Sequence, residues 1–266
     1  IHKTIKSIII ASVSNSILKA PEYHSEYFLR NSLNCIYDCD YCYLKAFKNQ
    51  IPVFFVNYEH IKKQILDTIK NKNKTIRFYS SDYSDNLATD NMTLFTKEFI
   101  DFFDNQKFAK MEIRTKSVNI KNILNQKPSK NIEIAFSLNP NEIINKYEHK
   151  TTSLDLRIKA INKLIENWQV IRFMPLLEVD SYKEIYREFI EYVKKEIDFN
   201  KIYSVFILLY TKSDYNKMLK VKPNLDLLYT LDISDDGFYR EKREVRDFFY
   251  KLFDLIDNKC NICLDK

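Results

Sequence analysis

Cys35, Cys39 and Cys42 stand at C-x3-C-x2-C spacing in the run Cys35-Ile-Tyr-Asp-Cys39-Asp-Tyr-Cys42-Tyr-Leu. Three thiolates this close in sequence can converge on one small inorganic cluster when the loop wraps around it. A [4Fe–4S] cluster normally takes four protein ligands, so three leave one iron open. That open iron can be chelated by an amine and a carboxylate. A zinc site completed by His24, His60 or a distant cysteine is the alternative. Zinc knuckles usually present two paired ligand sets, and no matched second pair lies close by. Cys260 and Cys263 form a C-x2-C late in the chain. They read as a tail without catalytic work, with hydrogen donation or a second metal as the other options. Five cysteines, three of them clustered, fit metal ligation in a reducing cytoplasm better than a disulfide framework.

With Tyr41 just before its third cysteine, the loop resembles that of radical S-adenosylmethionine (SAM) enzymes. The resemblance implies a [4Fe–4S] cluster and SAM as cofactors. A reduced cluster of this kind passes one electron into the SAM sulfonium and breaks a carbon–sulfur bond. The resulting 5′-deoxyadenosyl radical then takes a hydrogen atom from the substrate. The protein's share is placement and electrostatics. An electron donor such as a flavodoxin or ferredoxin is implied as a partner.

Longer stretches resemble one family more particularly. Asp40-Tyr41-Cys42-Tyr43-Leu44 is similar to the cluster loop of spore photoproduct lyases. Phe136-Ser137-Leu138-Asn139, Ile144-Asn145 and Thr152-Ser153-Leu154-Asp155-Leu156-Arg157 resemble that family's FSIN…IN…SSFDAR stretch. Ser84-Asp85 and Thr115-Lys116 resemble its SD and TK pairs, so the likeness runs from about Phe28 to Thr211. Carried over residue by residue, it implies that Tyr43, Ser84, Lys116 and Ser137 line the SAM site. A lysine at a strand end can pair with the SAM carboxylate, and hydroxyls can bind its ribose or amine. Tyr41 and Tyr43 are the residues the resemblance suggests for relaying a hydrogen atom.

Two positions depart from that family's pattern. Asp82 stands two residues before the SD pair, where the lyases have a cysteine that returns a hydrogen atom to the thymine radical. Leu208-Leu209-Tyr210-Thr211-Lys212 lacks the arginine of the lyases' lesion-gripping run. The resemblance points to a damaged or modified pyrimidine in DNA as substrate. The departures leave open a paralogue acting on a peptide or small molecule. A zinc- or nucleic-acid-binding module without catalysis is a third possibility, from another class.

The rest of the chain must supply elements to hold these residues. At 266 residues, 45% of them hydrophobic and 14% aromatic, it can build one sizeable core. The lone glycine nearly excludes P-loop and Rossmann phosphate sites. Lys and Arg exceed Asp and Glu by 42 to 36, a net charge of +6, compatible with nucleic acid without requiring it. Ile1–Val13 only faintly resembles a signal peptide, and no apolar run reaches the ~18 residues of a membrane span.

Strands are expected at Tyr27–Asn31, Thr75–Tyr79, Lys110–Arg114, Asn131–Ser137, Gln169–Leu176 and Tyr203–Tyr210. Helices are expected at His60–Lys70, Met92–Asn105, Val118–Leu124, Leu154–Trp168 and Lys183–Ile197, and a charged one near Arg240–Asp257. Ile185, Phe189, Val193 and Ile197 would form an apolar stripe, with Ser153 and Ser181 as helix caps. Six β/α repeats predict a parallel sheet with right-handed crossovers, in a partial (βα)6 barrel of the radical SAM type. The active site would lie at the strands' C-terminal ends. The expectation is a single domain, with a core of about 27–211 and an extension over 212–266.

Overall fold

The computed structural model describes residues 9–20, 26–47, 51–173, 175–198, 202–203, 206–207, 210–235 and 237–254. The expectations for His24, Leu208, Leu209, Cys260 and Cys263 lie outside the described residues. Packing divides the chain into two compact units. The first comprises Ile1–Ile36, Asn49–Ala135 and Lys163–Val170, and the second Tyr37–Lys48, Phe136–Asn162 and Ile171–Lys266. No helix among the described residues is long and apolar enough to cross a membrane.

The first unit is built on parallel strands Glu26–Leu29, Ile76–Ser80 and Ala109–Thr115, in register Phe28↔Tyr79↔Glu112. Ile17–Lys19 adds an antiparallel edge, and residues 132–135 of the strand Ile132–Ser137 follow beyond Ala109–Thr115. Alternation along the strands sorts their side chains. Ile76, Phe78, Met111, Ile113, Ile132 and Ile134 are buried, together with Ile61 and Ile65 of helix Tyr58–Ile69 and Phe95, Phe99 and Phe103 of helix Phe95–Asp104. Each large side chain buried in this way contributes about 1.5–3 kcal/mol. The intervening positions Arg77, Tyr79, Lys110, Glu112, Arg114 and Glu133 put a charged ladder on the other face.

The expected helix Met92–Asn105 is broken. Asp90–Thr93 ends where Leu94 turns left-handed (φ 54°), and Phe95–Asp104 begins anew. The Asp90 carboxylate accepts from the Thr96 hydroxyl (2.6 Å) and from the Thr96 amide (2.8 Å), a donor that a continuous helix would have bonded internally. The helix expected at Val118–Leu124 is a single turn, Lys121–Leu124.

In the second unit, Asp38–Cys39 pairs antiparallel with Glu148–His149, in register Cys39↔Glu148. Helices Asn141–Tyr147 and Lys212–Val221 were not foreseen, nor was the antiparallel sheet of Tyr210–Thr211, Phe238–Glu241 and Leu231–Ile233. Helix Tyr182–Glu196 buries Tyr186, Phe189, Ile190 and Val193, whereas Ile185 is only half-buried. A strict four-residue row drifts around a helix of 3.6 residues per turn, so alternating steps of three and four keep to one face. Ser181 precedes this helix in a left-handed conformation, and its hydroxyl does not cap it. Tyr186 and Tyr182 pack edge-on against Phe249 (4.8 Å) and Phe248 (5.3 Å) of helix Arg243–Asp254.

Candidate active site

In the first unit, the site residues follow the ends of two neighbouring strands. Asp85, buried, accepts from the Thr115 hydroxyl (2.8 Å), the Ala88 amide (3.0 Å) and the Lys116 amide (2.7 Å). Burial raises its carboxyl pKa, against the opposing pull of those donors. Asp85 thereby fixes the backbone from which the half-buried Lys116 side chain departs. Ser84 is 9% exposed, and its hydroxyl bonds to the Ser32 hydroxyl and to Asn86 Oδ1 (3.3 Å). Asn86 and Asn31 exchange two amide hydrogen bonds of 3.0 Å. The unit thus brings Ser84 and Lys116 together around Asp85.

Asp82 lies in the same turn. Its Oδ1 accepts from the Arg114 guanidinium (3.0 Å), which also donates to Glu112 (2.6 Å) and sits 4.5 Å from the centre of the Tyr79 ring. Burial alone would weaken Arg114's protonation, but Glu112 and Asp82 outweigh it and hold the charge more firmly. Cys35 belongs to this unit and is half-buried.

Cys39 and Cys42 belong to the second unit, Cys39 buried and Cys42 half-buried. Their loop is fastened along its backbone. The Cys42 amide donates to the Cys39 carbonyl (3.2 Å), the Asp40 amide to the Tyr147 carbonyl (2.8 Å), and the Tyr210 hydroxyl to the Tyr41 carbonyl. Asp38 pairs with Lys45 and Lys150, and Asp40 with Lys222 (2.7 Å) and His149 (2.9 Å).

Tyr41 points into a fully buried polar network. Its hydroxyl donates to Glu148, whose Oε1 also accepts from Asn139 (2.8 Å). Glu148 Oε2 takes a 2.7 Å bond from Arg157, and both side chains are 0% exposed. Arg157 also donates to the Thr152 carbonyl (3.0 Å), the Thr151 hydroxyl (2.7 Å) and the Ser137 carbonyl (2.8 Å). Burial and the Glu148 charge push the Tyr41 phenol well up, so it stays protonated. Ser137 ends the strand Ile132–Ser137, and its buried hydroxyl has no hydrogen-bond partner among the described residues. Tyr43, half-buried, opens the 3-10 turn Tyr43–Ala46 and meets Phe47 edge-on at 6.2 Å.

Among the described residues, no three His, Cys, Asp or Glu side chains gather closely enough to hold a single metal ion. A cubane cluster spreads its thiolates over different irons, and Cys39 and Cys42 supply two thiols from one backbone-pinned loop, a donor chemistry that suits it. Sequence reasoning missed Glu148 altogether, and Asp85, Asn139 and Arg157 entered only as parts of matching stretches, without a role of their own. Of these, Arg157 carried a signal, a charge flanked by the apolar Leu154, Leu156 and Ile158.

A family model described as spore photoproduct lyase matches residues 2–224. A spore photoproduct lyase of Clostridium acetobutylicum is 25% identical over 249 residues, covering 86% of this chain and 73% of the relative. That of Bacillus subtilis is 26% identical over 196 residues, covering 71% of this chain but only 57% of the relative. Among solved structures, a spore photoproduct lyase complexed with dinucleoside spore photoproduct superposes with a TM-score of 0.85 at 19% identity, covering 97% of this chain and 82% of the other. A mutant with bound AdoMet and dinucleoside spore photoproduct also gives 0.85, at 18% identity, covering 98% of this chain and 83% of the other. These likenesses bear out the fold class expected from the sequence, a partial (βα)6 barrel of the radical SAM type.

Proposed function

The chain belongs to the spore photoproduct lyase family of radical SAM enzymes, and on that premise we propose that it cleaves SAM reductively to attack a damaged or modified pyrimidine in DNA. Cys35, Cys39 and Cys42 would hold the [4Fe–4S] cluster, and Tyr43, Ser84, Lys116 and Ser137 would bind SAM. Bound there, the cluster supplies the electron that breaks the sulfonium carbon–sulfur bond. The chain's own residues bind and orient. Lys116, fixed through its amide by Asp85, can pair with a carboxylate. Ser137 carries the reading. A buried hydroxyl without a partner costs about 1–3 kcal/mol, a cost that a ligand's hydrogen bond would remove. Tyr41, whose hydroxyl is given to Glu148, and the half-buried Tyr43 are the two relay candidates.

A second reading, a radical reaction on a peptide or small molecule, has its support in Asp82. A carboxylate held by Arg114 (3.0 Å) is not a hydrogen-atom donor, and it stands where the family resemblance calls for a thiol. Anaerobic reaction of the iron-loaded protein with SAM, dithionite and a synthetic spore-photoproduct dinucleotide separates the two. Restored thymidylyl-thymidine is the expected product. Release of 5′-deoxyadenosine without repair would refute the spore photoproduct as substrate and favour the second reading.

A further inference from the structure

Glu148 and Arg157 have no assigned part in the chemistry, yet the second unit buries both charges completely. Taking two charges out of water rarely stabilises a fold more than apolar packing would, and the best-attested use of such pairs is to fix one arrangement over others. Here the arrangement is visible. One Glu148 oxygen holds the Tyr41 hydroxyl and the Asn139 amide, and the other holds Arg157. Arg157 in turn grips the carbonyl of Ser137 (2.8 Å). Glu148 is also the backbone partner of Cys39 across the short antiparallel pair. One ion pair therefore ties the loop bearing Cys39, Tyr41 and Cys42 to the strand end bearing Ser137.

Resting on the function proposed above, we propose that Glu148 and Arg157 are positioning residues. Through Tyr41 they hold two cluster thiols, and through Ser137 they hold a SAM-binding hydroxyl, in one fixed relation. Tyr41 is then an anchor, its hydroxyl serving as the loop's attachment point. Neither Lys nor Gln substitutes fully. A lysine has no fork to reach Glu148, Thr152 and Ser137 together, and a glutamine leaves Arg157 buried without a counter-charge.

The test uses the full chain reconstituted anaerobically, as wild type, Tyr41→Phe, Arg157→Lys and the double variant Glu148→Leu/Arg157→Met. The readouts are iron per chain, the rate of iron loss to a chelator, the electron paramagnetic resonance (EPR) signal of the reduced cluster with and without SAM, and SAM affinity. Tyr41→Phe removes one hydroxyl and leaves the ion pair intact. It should load iron and then lose it several-fold faster, with an altered EPR signal. Arg157→Lys should weaken SAM binding about tenfold, the worth of roughly one hydrogen bond to a charged group, at near-normal iron content. The double variant should fold and show both defects. If it does not fold, Tyr41→Phe decides. Variants that load, retain iron, bind SAM and give EPR signals like wild type would overturn the positioning role and leave the proposed function standing. A wild type that takes up no iron would overturn the function, and the inference with it.

Discussion

Replacing Arg157 with methionine removes one partner of a buried pair and leaves the other in place. The guanidinium's four partners are Glu148, the Thr151 hydroxyl and the carbonyls of Thr152 and Ser137. Loss of one member of a buried ion pair costs about 3–5 kcal/mol. At about 2 °C per kcal/mol for a chain of this size, the melting midpoint should fall by roughly 6–10 °C. Glu148→Leu should cost a similar amount by stranding Arg157. The double variant contains neither charge. Its remaining penalty is the lost partner of Tyr41 and Asn139, about 1–3 kcal/mol. The cycle should therefore show a coupling of roughly 3 kcal/mol or more, far from additive. Urea unfolding of the cluster-free protein, followed by circular dichroism, measures it. Additive costs, or an Arg157→Met penalty below about 1 kcal/mol, would refute the claim that the pair acts as a unit.

Three further outcomes follow from single groups. Ser137→Ala removes a buried hydroxyl with no partner among the described residues. It should leave the urea midpoint unchanged or slightly raised while weakening SAM binding about tenfold, read by calorimetric titration. Gly237 sits at φ 83°, and an added Cβ would meet nothing within 4 Å. Gly237→Ala should therefore cost about 1 kcal/mol through the backbone alone, visible in the same unfolding curves. Burial favours protonation of Asp226, but hydrogen bonds from Lys146 and Tyr147 prevail and hold its carboxyl below the ordinary value. Stability from this group is present above the unfolded pKa of about 4 and is lost as pH falls through the lower folded value. Melting temperatures measured down the acid limb should thus fall less steeply for Asp226→Asn than for wild type.

Part of the fold and of the candidate site was legible because its signals are local. Three cysteines within eight residues mark a candidate ligand loop, and strands such as Ala109–Thr115 show alternating apolar and polar positions, each within a short window. Long-range choices did not show. Leu94 breaks a helix because Asp90 prefers to cap Thr96, a competition invisible in an otherwise helical pattern. Glu148, between Lys146 and Lys150, looks like an ordinary solvated charge, and the apolar neighbours of Arg157 do not say what would pair with it. The pair's burial depends on Tyr41, more than a hundred positions upstream. The strands at Tyr210–Thr211, Leu231–Ile233 and Phe238–Glu241 are too short to produce a periodic signal. The sequence's sole glycine, Gly237, lies between the last two at φ 83°.

The central claim is that Cys35, Cys39 and Cys42 hold a cluster that cleaves SAM. Anaerobic reconstitution of wild type and of the triple Cys→Ala variant, followed by iron and zinc analysis and quantification of 5′-deoxyadenosine after SAM and dithionite, tests it most directly. About four irons per wild-type chain and 5′-deoxyadenosine from that protein alone are expected, with neither from the variant. Zinc in place of iron, or an iron-loaded wild type that neither binds nor cleaves SAM, would contradict it.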